Sequence, residues 1–205
     1  MEYKYTCSLG SHCQSSQLLK NNKLKKHSYP FDWIFSSCYD ILHCLQTDFK
    51  IFLDKSYYVS LADKRCSHLY YHGELFNHHN PLTSESDYNY YCRCVARFRQ
   101  LLQFEERKFF IMILVNMDSV MEHDKNKIID FNNTFSTYTK NYTLLVVYHI
   151  KNKPAQHHEF THNGNIDFLE LHTLSASKGV EFTNSSDNEY LNNIINTAYK
   201  FSIEN

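Results

Sequence analysis

Phe109-Phe110-Ile111-Met112-Ile113-Leu114-Val115 is a stretch of apolar residues without polar interruption, and it narrows the folds open to this 205-residue chain. It is too short to cross a membrane as a helix, which takes about 20 apolar residues. It lacks the alternation of a half-exposed strand, so it predicts a strand covered on both faces. Two more runs, Tyr142 to Ile150 and Ile166 to Leu171, read the same way. Tyr3 to Leu9 reads as a first strand, ended by Gly10. Helices are predicted from Ser11 to about Leu24, Ser36 to Phe52, Asp87 to Phe104, Lys125 to Lys140 and Asp187 to Phe201. Asn152 to Asn165 reads as a polar loop. Buried strands separated by helices imply crossover connections. The expected fold is therefore α/β: three layers, with a mostly parallel central sheet flanked by helices. One domain spans 1–205, with an irregular insertion rich in His, Cys and Tyr at about 55–86.

Charge restricts the function classes. A net charge of −1 supplies no basic field for a phosphate backbone, so nucleic acid is not expected as a partner. No apolar segment reaches membrane-spanning length, so no membrane partner is expected either. The first residues, Met-Glu-Tyr-Lys-Tyr-Thr-Cys, lack the apolar core of a signal peptide. Seven cysteines, an odd number, then point to free thiols in a reducing, cytoplasmic compartment.

Cys13 is the first candidate for chemistry. It follows a predicted strand and a glycine turn and lies in the first turn of a predicted helix. Ser11 and Gln14 there fit a capping box. Unsatisfied amides and the positive helix end favour a thiolate, so a lowered pKa is expected. A thiolate suits acyl transfer, and nearby amides suit an oxyanion. Such a nucleophile needs a proton-transfer partner. Thirteen histidines compete for that role. His78 and His79 form one option. His149 and His172 form another, because each ends a predicted strand at the sheet edge where α/β proteins place ligands.

The segments Ser8-Leu9-Gly10-Ser11-His12-Cys13 and Leu24-Lys25-Lys26-His27-Ser28-Tyr29-Pro30-Phe31-Asp32-Trp33 resemble the DUF1796 family of putative papain-like cysteine peptidases. That family's pattern is roughly LGxxC, a helix, then LRxxSxPFDW. Weaker matches are Phe76 to His79 and a helix bearing Tyr and Arg near Tyr91 to Phe98. The resemblance implies that Cys13 is the nucleophile and that His78 or His79 is its base. Asp32 would orient the histidine or cap a nearby helix. It implies a peptide or protein substrate with an amide, isopeptide or ester bond, and no cofactor or metal. An α+β papain-like fold is the alternative architecture. Between the histidines, alternation of faces along an extended run favours His79, since His78 shares the face of Phe76.

Three rival readings come from the same residues. Cys66, His68, His72, His78, His79, Cys92 and Cys94 include zinc-ligand types but no standard ligand spacing. Ser8-Leu9-Gly10-Ser11 resembles the nucleophile position of SGNH-type esterases, without an Asp-x-x-His element. Tyr57, Tyr58, Tyr70 and Tyr71 could instead form the binding surface of a non-enzymatic interaction module.

Overall fold

The computed structural model describes residues 2–61, 65–71, 73 and 75–203. Five strands form one sheet: β1 (Tyr5–Ser8), β4 (Lys108–Met117), β5 (Tyr142–Ile150), β7 (Ile166–His172) and β6 (His157–Asn163), in that spatial order. The first four are parallel, and β6 pairs antiparallel at the edge. A separate two-stranded hairpin joins β2 (Tyr58–Ser60) to β3 (Cys66–His68). The three apolar runs are thus adjacent strands at the centre of the sheet.

Alternation along each strand feeds two cores. Phe109, Ile111 and Ile113 of β4 pack with Leu145, Val147, Leu169 and Leu171 against α1 (Gln14–Asn21) and α5 (Ser185–Ala198). Phe110, Met112, Leu144 and Val146 face α2 (Cys38–Gln46), α3 (Glu85–Gln103) and α4 (Glu122–Phe135). Burial on both faces explains why β4 and β5 read as unbroken apolar runs. The result is the three-layer α/β sandwich expected. Among the described residues, no helix is long and apolar enough to cross a membrane.

Several boundaries depart from the sequence reading. The stretch predicted as a polar loop contains β6, most of whose side chains are exposed. An edge strand with only one paired side needs little apolar surface, so it left no apolar signal. α2 is shorter than predicted. Ser37 and Asp40 form its capping box, and it stops at Thr47, before Asp48 and Phe49 enter the left-handed region (φ 48° and 55°). Within the insertion, Tyr58, Tyr71 and Phe76 are buried in the second core. Tyr57 lies flat against His68, with 5.7 Å between ring centroids, so of the four proposed surface tyrosines Tyr70 is the exposed one.

The loop after β1 decides where Cys13 sits. Gly10 has φ +77° and Ser11 φ +62°. A Cβ on Gly10 would lie 2.2 Å from Ser36 Oγ and 2.9 Å from Phe31 O. Ser36 Oγ–H donates to Leu9 O at 3.2 Å and accepts the Ser11 amide at 3.2 Å. Gly10→Ala therefore meets both left-handed strain and overpacking, and is expected to cost about 2–4 kcal/mol of stability. Urea unfolding checks this; a loss under about 1 kcal/mol would show that the loop yields easily.

Candidate active site

The two consecutive left-handed residues delay the helix. α1 starts at Gln14, and Cys13 is its N-cap, with helical φ −60° and ψ −20° and no side-chain cap. The capping box expected from Ser11 and Gln14 is absent. The Ser11 amide goes to Ser36, and Gln14 Oε1 accepts from Ser177 Oγ at 2.5 Å. Cys13 still lies at the positive end of a helix, beside the carboxyl ends of β1 and β4. The amide of Gln14 finds no backbone acceptor among the described residues.

His78 is the imidazole that meets the thiol. Its Nε2 lies 3.5 Å from Cys13 Sγ, across 65 residues of sequence. The edge of Trp33 packs on the same ring at 5.9 Å between centroids. No partner for His78 Nδ1 is found among the described residues. The preference for His79 is corrected by this geometry. The backbone bends at Asn77 and His78, so faces do not alternate there as in a strand. Phe76 is buried against Phe52 and Tyr91 and anchors the segment. Past the bend, His79 stacks on Tyr90 at 4.6 Å and meets the Tyr91 hydroxyl through Nδ1 at 3.4 Å. Burial lowers the His79 pKa.

The expected lowering of the Cys13 pKa is also corrected. Burial pushes the thiol up to about 11, its own backbone amide pulls it down less, and the Asp32 carboxylate adds to the rise. Cys13 is 3% exposed, and desolvation disfavours its charged form.

Asp32 does not touch His78. Its carboxylate is buried, paired with Lys25, and accepts the Tyr29 amide at 2.7 Å. Lys25 also donates to Ser16 Oγ of α1 at 2.7 Å and lies 5.6 Å from the Trp33 ring centroid. Phe31 packs against Phe49 and Phe98, which also touch each other, and this cluster anchors the turn. Asp32 is thus linked to His78 only through Lys25 and the Trp33 ring. Burial raises the Asp32 pKa, although Lys25 and the Tyr29 amide oppose this.

The strand-edge histidines are committed elsewhere. His149 is fully buried, takes the Asn116 amide on Nδ1 at 3.0 Å and meets Thr173 Oγ1 through Nε2 at 2.7 Å. Burial lowers its pKa to about 4. His172 Nε2 pairs with Glu170 at 2.8 Å. The Ser8 hydroxyl is buried and accepts the Gly10 amide, so it is no exposed nucleophile. Among the described residues, no group of three or more His, Cys, Asp or Glu is placed to hold a metal ion, and His72 lies outside those residues. All seven cysteines are free.

A cavity of about 930 Å³ opens between α2 and α4 over the carboxyl end of β4. Leu42, Met112, Leu114, Met117 and Phe131 make it apolar, and Ser11 and His12, the residues just before Cys13, form part of its rim. A second hollow of about 680 Å³, at the amino-terminal ends of the strands near Tyr142 and Asn165, has neither cysteine nor histidine in its lining. His12 was not singled out in the sequence. Its Nδ1–H donates to Gly179 O at 2.7 Å, a contact that no local pattern announces.

No curated protein matches the chain. No solved structure matches it either. A family model described as "Putative papain-like cysteine peptidase (DUF1796)" matches residues 4–163, which include Cys13, Asp32 and His78. With well over half of its length under that model, and with the model's span covering the loop, turn and imidazole just described, the chain belongs to the DUF1796 family.

Proposed function

We propose that this chain is a thiol hydrolase in which Cys13 attacks an amide, isopeptide or ester carbonyl and His78 is its base. The observation that carries this reading is the 3.5 Å approach of His78 Nε2 to Cys13 Sγ at a helix N-terminus. A thiol near 11 is neutral at pH 7, so its proton passes to His78 as sulfur attacks, not beforehand. The carbonyl oxygen becomes an oxyanion beside the first-turn amides and the positive helix end. The His78 imidazolium then returns the proton to the leaving amine or alcohol, which departs and leaves a thioester. Water, deprotonated by His78, hydrolyses that thioester and restores the thiol. Membership of a family described as peptidases favours a peptide or protein substrate. The apolar cavity beside Ser11 and His12 offers a seat for its side chains.

The test is limited alkylation with iodoacetamide while turnover of fluorogenic peptide, isopeptide and ester substrates is followed. Modification of Cys13 ahead of the other six thiols, with activity lost in step, is the expected result. Activity that survives full modification of Cys13 would overturn the reading.

A further inference from the structure

One short loop holds both chain neighbours of Cys13. Ser177 Oγ–H donates to Gln14 Oε1 at 2.5 Å, and Gly179 O accepts His12 Nδ1–H at 2.7 Å. These contacts cross 163 and 167 residues of sequence, and the loop lies beyond the span matched by the family model. Gly179 has φ +115°, a backbone that L side chains rarely adopt, and this turns its carbonyl toward His12.

The loop is itself braced. Asn116, in the left-handed region at the end of β4, pairs with both main-chain groups of Ser177: its Oδ1 accepts the amide at 2.7 Å and its Nδ2–H donates to the carbonyl at 2.9 Å. Asp187, buried at the start of α5, accepts the Leu174 and Ser175 amides at 3.1 and 2.9 Å and the Ser175 hydroxyl at 2.7 Å. Because His149 Nδ1 accepts the Asn116 amide, its proton sits on Nε2 toward Thr173. The ends of β4, β5 and β7 thus converge on the two residues that flank the nucleophile. Packing alone does not require a buried serine to hold the first turn of α1 so directly.

Resting on the Cys13–His78 reading, we propose that Ser177 is a positioning residue. Through Gln14, it fixes the first turn of α1 so that Cys13 Sγ stays within reach of His78. Ser177 makes its contact through a side chain, so it can be removed by substitution, whereas the Gly179 contact is main-chain.

The experiment uses the full chain with Ser177→Ala and Ser177→Thr, each alone and combined with His78→Ala. The second-order rate of Cys13 alkylation by iodoacetamide is followed from pH 6 to 11, with thermal unfolding of the same samples. Small displacements of reacting groups carry large rate penalties, and Ser177→Ala is expected to slow Cys13 at pH 7 by about ten-fold. The difference should close toward pH 11. Threonine, which keeps the hydroxyl, should restore the rate, and Ser177→Ala should add nothing in the His78→Ala background. A folded Ser177→Ala protein that reacts at the wild-type rate overturns the proposal, as does equal slowing at every pH or full additivity with His78→Ala. If Ser177→Ala melts below the assay temperature, Gln14→Leu cuts the same bond from the other side and is held to the same outcomes. A His78→Ala protein whose Cys13 reacts normally instead marks failure of the Cys13–His78 reading, and this proposal falls with it.

Discussion

Alanine at His78 is expected to lower turnover, and the alkylation rate of Cys13 at pH 7, by on the order of 10²-fold or more, the usual contribution of a positioned proton acceptor. The sign of the pH dependence follows from the thiol. On the proposed reading Cys13, held up to about 11 by burial, is protonated at neutral pH and passes its proton to His78. As pH rises toward 11 the thiol ionises unaided, so wild type and His78→Ala should converge. The parallel change His79→Ala should leave the rate within about two-fold, because that ring is engaged by Tyr90 and Tyr91 and lies outside hydrogen-bond reach of the thiol. Equal rates for wild type and His78→Ala at pH 7 would mean that the 3.5 Å contact is incidental.

Asp32→Ala is expected to cost about 3–5 kcal/mol of stability, the penalty for leaving one member of a buried ion pair alone. Lys25 is 10% exposed and would retain Ser16 as its neighbour but lose its counter-charge, while the Tyr29 amide would lose its acceptor. The double variant Asp32→Leu with Lys25→Met removes both charges and should recover much of the loss. Trp33, the chain's single tryptophan, contacts both Lys25 and His78, so its fluorescence reports on this region. Urea unfolding followed by Trp33 emission checks the cost. If Asp32→Ala is as stable as wild type, the pair with Lys25 does not stabilise the fold.

The thiol and imidazole candidates were legible to different degrees. The strand, glycine and helix around Cys13 pointed to the thiol, because strand ends, left-handed glycines and helix starts have local signatures. The pair His78-His79 was also visible, but the choice between them was not. It turned on whether the backbone ran straight, and the bend at Asn77 and His78 is set by the packing of Phe76 and by Tyr90 and Tyr91 of α3. The expected thiolate failed for a related reason. A helix end is read locally, whereas desolvation depends on everything folded over Cys13.

The sequence by itself determined the layered architecture and the position of the thiol. Strands buried on both faces are apolar along most of their length, and helices show one apolar face, so the pattern of apolar residues separates them. Only the tertiary structure decided that β6 pairs at the edge, that His78 meets Cys13, that Asp32 pairs with Lys25, and that Ser177 and Gly179 reach Gln14 and His12. Each of these joins polar groups far apart in the chain. A hydrogen bond between distant residues leaves no periodic trace, since either partner could equally be satisfied by water until the sheet brings the two together.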